Sequence, residues 1–165
     1  MPQAILQSAG VNNQYAVPSG SDSSTYNYAI DSGQLNVFLG ASLSGPATGA
    51  YTVTVGVDND TIAKLFAAGA FDPSVYMVMP ASMYTLPTSL VVAPGARGGT
   101  FNLSLNIDSL KSSAFAGKYL LLAVRISNPT QYSLDTALSE TLVVVNVNSL
   151  VIGPAVNITS TYILN

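Results

Sequence analysis

The sequence predicts an all-β fold: an immunoglobulin-like antiparallel β-sandwich with one short crossover helix near residues 60–68. Three observations predict it. Several segments alternate apolar and polar residues with period two, which gives a strand one buried and one solvated face. Short clusters of Gly, Pro, Ser and Asp separate them, as in sandwich domains. One segment alone carries apolar residues at helical spacing.

Each element follows from its residues. Leu35, Val37, Leu39, Ala41 and Leu43 alternate with Gln34, Asn36, Phe38, Gly40 and Ser42, and Thr52–Val57 and Phe101–Ile107 repeat the pattern. Tyr119–Ile126 and Leu142–Val147 are apolar on both faces and read as central strands. Shorter candidates are Ala4–Gln7, Tyr26–Ile30, Val75–Met79 and Leu90–Ala93. Pro18–Ser24 reads as a loop, and Gly45–Gly49 and Pro94–Gly99 as turns closing hairpins. In Asn59–Gly69, Ile62, Leu65 and Phe66 recur at helical spacing. Asp60 is placed to cap the start and Gly69 to end the helix, whose apolar stripe is expected to pack on the sandwich edge. Residues 1–150 form the predicted domain, and 151–165, with Gly153-Pro154, read as a linker-like tail.

Composition narrows the function. The chain has 165 residues, enough for one domain with a substantial core. Charged residues make up 8%, against roughly 25% in a typical domain. Ser, Thr, Asn and Gln supply close to a third of the chain and must solvate the surface instead. The five cations, Lys64, Arg97, Lys111, Lys118 and Arg125, are scattered and outnumbered by eight acids. Counterion release therefore gives no drive toward nucleic acid. No apolar run approaches the ~18 residues of a membrane span.

Histidine and cysteine are both absent. That removes the Ser-His-Asp and Cys-His arrangements, the imidazole base, disulfides and the usual zinc and copper ligands. The expectation is a non-enzymatic chain with no catalytic residues, no metal site and no cofactor. Carboxylates alone remain for acid–base work, and Glu140 is the sole glutamate. Asp58 and Asp60 are the nearest pair. They read as a turn plus N-cap, with a calcium site or a hydrolase pair as competing readings. Gly95-Ala96-Arg97-Gly98-Gly99 lacks the lysine and helix of a phosphate loop and reads as a turn.

Binding candidates are few. Tyr26 and Tyr28 lie two apart, on one face of a strand, and form a candidate sugar platform; the plainer reading has them cover the core with their hydroxyls at the rim. Tyr84, Tyr119 and Tyr132 read as structural. Asp60-Thr61-Ile62, Asp108-Ser109-Leu110 and Asp135-Thr136-Ala137 resemble the O-glycosylation acceptor pattern of exported Bacteroidetes proteins, making Thr61, Ser109 and Thr136 candidate acceptors; capping chemistry explains the same tripeptides. Asn102-Leu103-Ser104 and Asn157-Ile158-Thr159 fit the N-glycosylation pattern of eukaryotes.

An ordered set of segments carries a family likeness. A Val-rich strand ends at Asp58 and leads into the short helix. Met79-Pro80, Tyr84-Thr85-Leu86, Leu90–Gly95 and Lys118–Ile126 follow. Over roughly residues 30–147 the chain resembles the uncharacterised N-terminal domains of Bacteroidetes surface lipoproteins, which precede laminin-G-like, discoidin-like or family-18 glycoside hydrolase modules. It departs from them at Phe66-Ala67 and Leu121-Leu122, where Tyr-Asn and Leu-Pro are frequent. The resemblance implies an immunoglobulin-like sandwich, a cell-surface or periplasmic location, lipid anchoring through an upstream segment, and a further C-terminal domain. It implies a non-catalytic accessory or spacer role that assists carbohydrate binding, with a glycan or another surface protein as partner. The alternative is a structural adhesin or pilus-like subunit assembled by strand addition, with Gln3–Gln7 as donor.

Overall fold

The structure is a computed structural model that describes residues 3–7, 14–22 and 25–152. Two sheets face each other. The first has the order β11-β1-β4-β9-β7: Ser133–Leu134, Gln3–Gln7, Gln34–Leu43, Gly98–Asn106 and Tyr84–Thr85. β3 (Tyr28–Asp31) also pairs with β4, through a tight turn in which Ser32 and Gly33 both have positive φ, 52° and 76°. The second sheet has the order β2-β12-β10-β5-β8: Gln14–Val17, Glu140–Asn146, Tyr119–Ser127, Tyr51–Val57 and Ser89–Val92. β6 (Tyr76–Val78) runs parallel to the start of β10. The N-terminal strands divide between the sheets: β1 pairs antiparallel with β4, and β2 pairs parallel with β12. With β4 on β9, β5 on β10 and β10 on β12, this is the immunoglobulin-like arrangement that the alternation predicts. The sheets are mixed rather than purely antiparallel, because β2, β6 and β11 pair parallel with their neighbours.

The core lies between the sheets. Leu35, Val37, Leu39, Ala41 and Leu43 of β4 and Leu103 and Leu105 of β9 face Val53, Val55, Leu120, Leu122, Val124, Ile126, Val143 and Val145. Both segments that are apolar on two faces find two partners. The opposite face of β10 and β12, through Leu121, Ala123 and Leu142, packs on Ile62 of helix α1 (Asn59–Ala67), with Leu65, Phe66, Phe71 and Tyr76 around it. The helix thus covers the outer face of the second sheet rather than the sandwich edge. A strand with two apolar faces needs a second cover, and the edge would have left Leu121 and Ala123 in water.

Local chemistry sets the helix ends. The N-cap is Asp58, not Asp60: its side chain accepts from the Asp60 N–H at 3.2 Å. The first helical residue is Asn59, so only the residue before it has the free geometry of a cap. At the other end Gly69, at φ 72°, donates to Phe66 O and Ala70 to Leu65 O, the paired bonds of a Schellman ending.

The two expected hairpins are crossovers. Residues 44–50 join β4 to β5, and 93–97 join β8 to β9, and each pair of strands lies in different sheets. Strands with one apolar face each satisfy it by facing one another across a gap of about 10 Å, which a loop of this length spans. Three short strands, β2, β7 and β11, lie outside the sequence prediction. Residues 23–24 of the predicted loop, most of the predicted tail (153–165) and Asn157-Ile158-Thr159 lie outside the described residues.

The register fixes where the first and last described strands lie. Gln3 pairs with Ser133 and Ala4 with Leu43, at one pole. β12 ends at Asn146 beside Tyr119, at the other pole; from there the Val151 N–H donates to the hydroxyl of Tyr28, which pairs with Val37 inside β4, at 3.1 Å. β4 runs between the poles over 10 residues, or about 30 Å.

Candidate functional site

The outer face of the second sheet carries a hollow of about 520 Å³ where α1, β10 and β12 meet. Asp58 and Thr61 come from the start of α1, Arg125 and Glu140 from paired positions on β10 and β12, and Thr136 from the segment before β12. Alternation puts Arg125 on the face opposite Val124 and Ile126, so the one charge in an apolar strand projects beside the helix cap. Its Nη1 donates to Asp58 Oδ2 at 3.1 Å, with the two side chains 49% and 25% exposed. The pair is half in water, which keeps its net contribution below about 1 kcal/mol. The floor is apolar, from Leu65 and Leu142. Hydroxyls, two carboxylates and a guanidinium around an apolar floor suit hydrogen bonding to a polar ligand. Asp58 already serves two structural partners.

Two of the three candidate acceptors, Thr61 and Thr136, border this hollow, while Ser109 sits in the one-turn helix α2 (Ile107–Leu110) beyond β9. All three tripeptides lie at helix starts: Asp58, Asn106 and Asp135 cap α1, α2 and the turn at Thr136–Leu138. Only in the third tripeptide is its own aspartate, Asp135, the cap; in the first two the cap lies two residues before the tripeptide's aspartate. Tyr26 and Tyr28 stack with ring centroids 5.3 Å apart and 17° between planes. Tyr28 is 6% exposed and its hydroxyl accepts from Val151, while Tyr26 packs half-buried against the core. The stacked pair thus lies on the core side of β3. The grouping of Arg125 with Asp58 and Glu140 was missed by sequence reasoning. Its one signal is a lone arginine inside an otherwise apolar strand.

Groups with displaced pKa lie away from the hollow. Burial raises Tyr15 against an opposing hydrogen bond with Asn27, and burial and then Tyr132 raise Tyr51. Hydrogen bonds from Ser74 lower Asp72, and hydrogen bonds with Thr48 lower Tyr132. Among the described residues no three acidic side chains converge as a metal site would require.

Residues 9–133 match a family described as an N-terminal domain. The chain belongs to that family. No curated protein matches it significantly. Several proteins of known structure share the fold at low identity. A provisionally assigned carbohydrate binding protein from Bacteroides ovatus is 14% identical, with a TM-score of 0.58 over 88% of this chain. A multidomain protein from the same species is 16% identical, with a TM-score of 0.59 over 86%. A two-domain protein of unknown function from Bacteroides fragilis is 13% identical, with a TM-score of 0.58 over 88%. The chain spans only 37%, 44% and 45% of those three proteins. The expected likeness to N-terminal domains of multidomain Bacteroidetes proteins thus holds at the level of family and fold.

Proposed function

We propose that this chain is a non-catalytic, in-line spacer domain of a longer extracytoplasmic protein, lipid-anchored upstream, that carries a further module away from the cell surface and assists its contact with carbohydrate. The observation that carries the reading is that, among the described residues, the first strand (Gln3 beside Ser133) and the end of the last strand (Asn146 beside Tyr119) lie at opposite poles of the sandwich. A domain with adjacent ends adds no reach; one with opposed ends adds its full length. The family's N-terminal place and the greater length of its relatives support a module after this one. The absence of histidine and cysteine supports a mechanical and adhesive role over a chemical one. The carbohydrate part draws on the B. ovatus relative and on a surface solvated by amides and hydroxyls.

The strand-addition alternative fits less well. β1, the expected donor, is already paired on both sides within the chain, with β4 and with β11.

The test uses the full-length protein on intact cells, with an epitope tag placed directly after this domain. Replacing the domain by a short Gly-Ser linker is expected to abolish binding of a whole antibody to the tag while a nanobody still binds. Equal binding of both reagents in both proteins overturns the spacer role.

A further inference from the structure

The outer face of the first sheet has a composition of its own. Register pairs Gln34 with Asn106, Asn36 with Ser104, Phe38 with Asn102, Gly40 with Thr100 and Ser42 with Gly98. The alternate residues of both strands fill the core, so these ten positions lie on the opposite face, where Gly40 alone is buried. Eight are amides, hydroxyl side chains or an aromatic ring, two are glycines, and none is charged. Arg97 stands at one end and Asp31 at the other; the remaining cations lie elsewhere.

Phe38 breaks the polar pattern. It is 43% exposed, more than any other aromatic side chain among the described residues. A solvated sheet face needs no aromatic residue. Its backbone is held on both sides: its N–H donates to Asn27 O at 3.0 Å, and its carbonyl accepts from the Tyr15 hydroxyl at 2.7 Å. Next along the strand, Gly40 carries no side chain and is itself buried, paired with Gln7 of β1. Beyond it, a hollow of about 490 Å³ is lined by Ser42, Gly98 and Thr100, with Arg97 at its margin. Glycine is required at 98, since a Cβ there would lie 2.5 Å from Ala41 O.

We propose that this face binds an uncharged polysaccharide, with one sugar ring on Phe38 and its neighbours along the amide and hydroxyl rows of β4 and β9. An aromatic face accepts the weakly positive C–H groups of a pyranose, and planar amides match vicinal hydroxyls in donor and acceptor capacity. The lack of charge decides the class. A uronic acid or sulfated chain finds one cation here, whereas a neutral chain finds amides and hydroxyls, of which Ser104 already donates to Asn36 and Asn106 accepts from the Ser109 N–H. A second copy of this domain would find little apolar area, since Phe38 is the one large apolar side chain on these two rows. The proposal deepens the carbohydrate part of the proposed function and leaves the spacer part independent.

The 165-residue chain tests it by affinity electrophoresis in gels containing xyloglucan, galactomannan, hydroxyethylcellulose or polygalacturonate, with Phe38→Ala and Asn102→Ala beside the wild type. The wild type is expected to be retarded by at least one neutral polymer and not by polygalacturonate. Phe38→Ala is expected to weaken that retardation by about tenfold, the loss of one ring contact. Asn102→Ala should weaken it less, and both variants should melt as the wild type does. Retention of full binding by both variants overturns the proposal, as does retardation by polygalacturonate alone or by no polymer. Dimerisation that Phe38→Ala abolishes, seen in the ultracentrifuge without retardation, also overturns it. In each of these outcomes the antibody-reach test still judges the spacer role separately.

Discussion

The Asp58 carboxylate holds Arg125 with one oxygen and the start of α1 with the other. One side chain thereby ties the helix to the strand it covers. Asp58→Asn keeps a capping oxygen and loses the charge, so it should cost less than about 1 kcal/mol. Asp58→Ala removes both contacts and should cost about 1–2 kcal/mol. Urea unfolding of the two variants checks the order. Equal losses would show that the cap contributes nothing.

Ile62 is fully buried between α1 and the outer face of β10 and β12. Ile62→Ala should destabilise by about 2–4 kcal/mol through lost burial and the cavity it leaves. Leu121→Ala should cost a similar amount, and the double variant less than the sum, because the two side chains share one small cluster. Additive losses in denaturant titrations would mean that they do not share it.

These two sites show how much of the fold was legible in the chain. Alternation at Leu35–Leu43 and Phe101–Leu105 placed the inner faces correctly, because period two leaves one assignment when half the residues must be buried. The doubly apolar runs announced a second layer without saying what filled it. The helix and its stripe were visible, but whether it lay on an edge or a face depends on contacts far apart in sequence. The same limit turned two crossovers into expected hairpins: a Gly- and Pro-rich loop reads alike whether it returns to its own sheet or crosses to the other. The hollow was illegible for this reason also, since Asp58, Arg125 and Glu140 meet only through strand pairing.

Gly98 and Gly56 separate steric need from mere tolerance. At Gly98 a Cβ meets the Ala41 carbonyl at 2.5 Å, while at Gly56 nothing lies within 4 Å. Gly98→Ala should therefore destabilise by more than about 1 kcal/mol, whereas Gly56→Ala should stay within about 0.5 kcal/mol of the wild type or stabilise slightly. Thermal melts of both variants check the contrast.

Alkaline pH should weaken the fold through Tyr15 and Tyr51. Burial raises both above the ordinary tyrosine value, so the folded state holds its protons longer than the unfolded chain does. Their stabilising contribution is complete below about pH 10 and is lost as pH rises through the folded values. Tyr132 acts in the opposite sense, since its hydrogen bonds with Thr48 favour the phenolate, and its exposure keeps that effect small. Urea midpoints of the wild type should fall between about pH 9.5 and 11, and those of Tyr15→Phe should fall less steeply. Parallel slopes would rule out Tyr15 as a source of the effect.

The most direct test of the spacer account is a distance. The chain contains no cysteine, so Ser133→Cys and Ser149→Cys, both exposed and at opposite poles, can carry the only two spin labels. Pulsed dipolar spectroscopy on the full chain should give a single narrow distribution centred near about 30 Å. A distribution centred below about 20 Å, or one broad enough to span both values, would contradict a rigid domain whose ends lie apart.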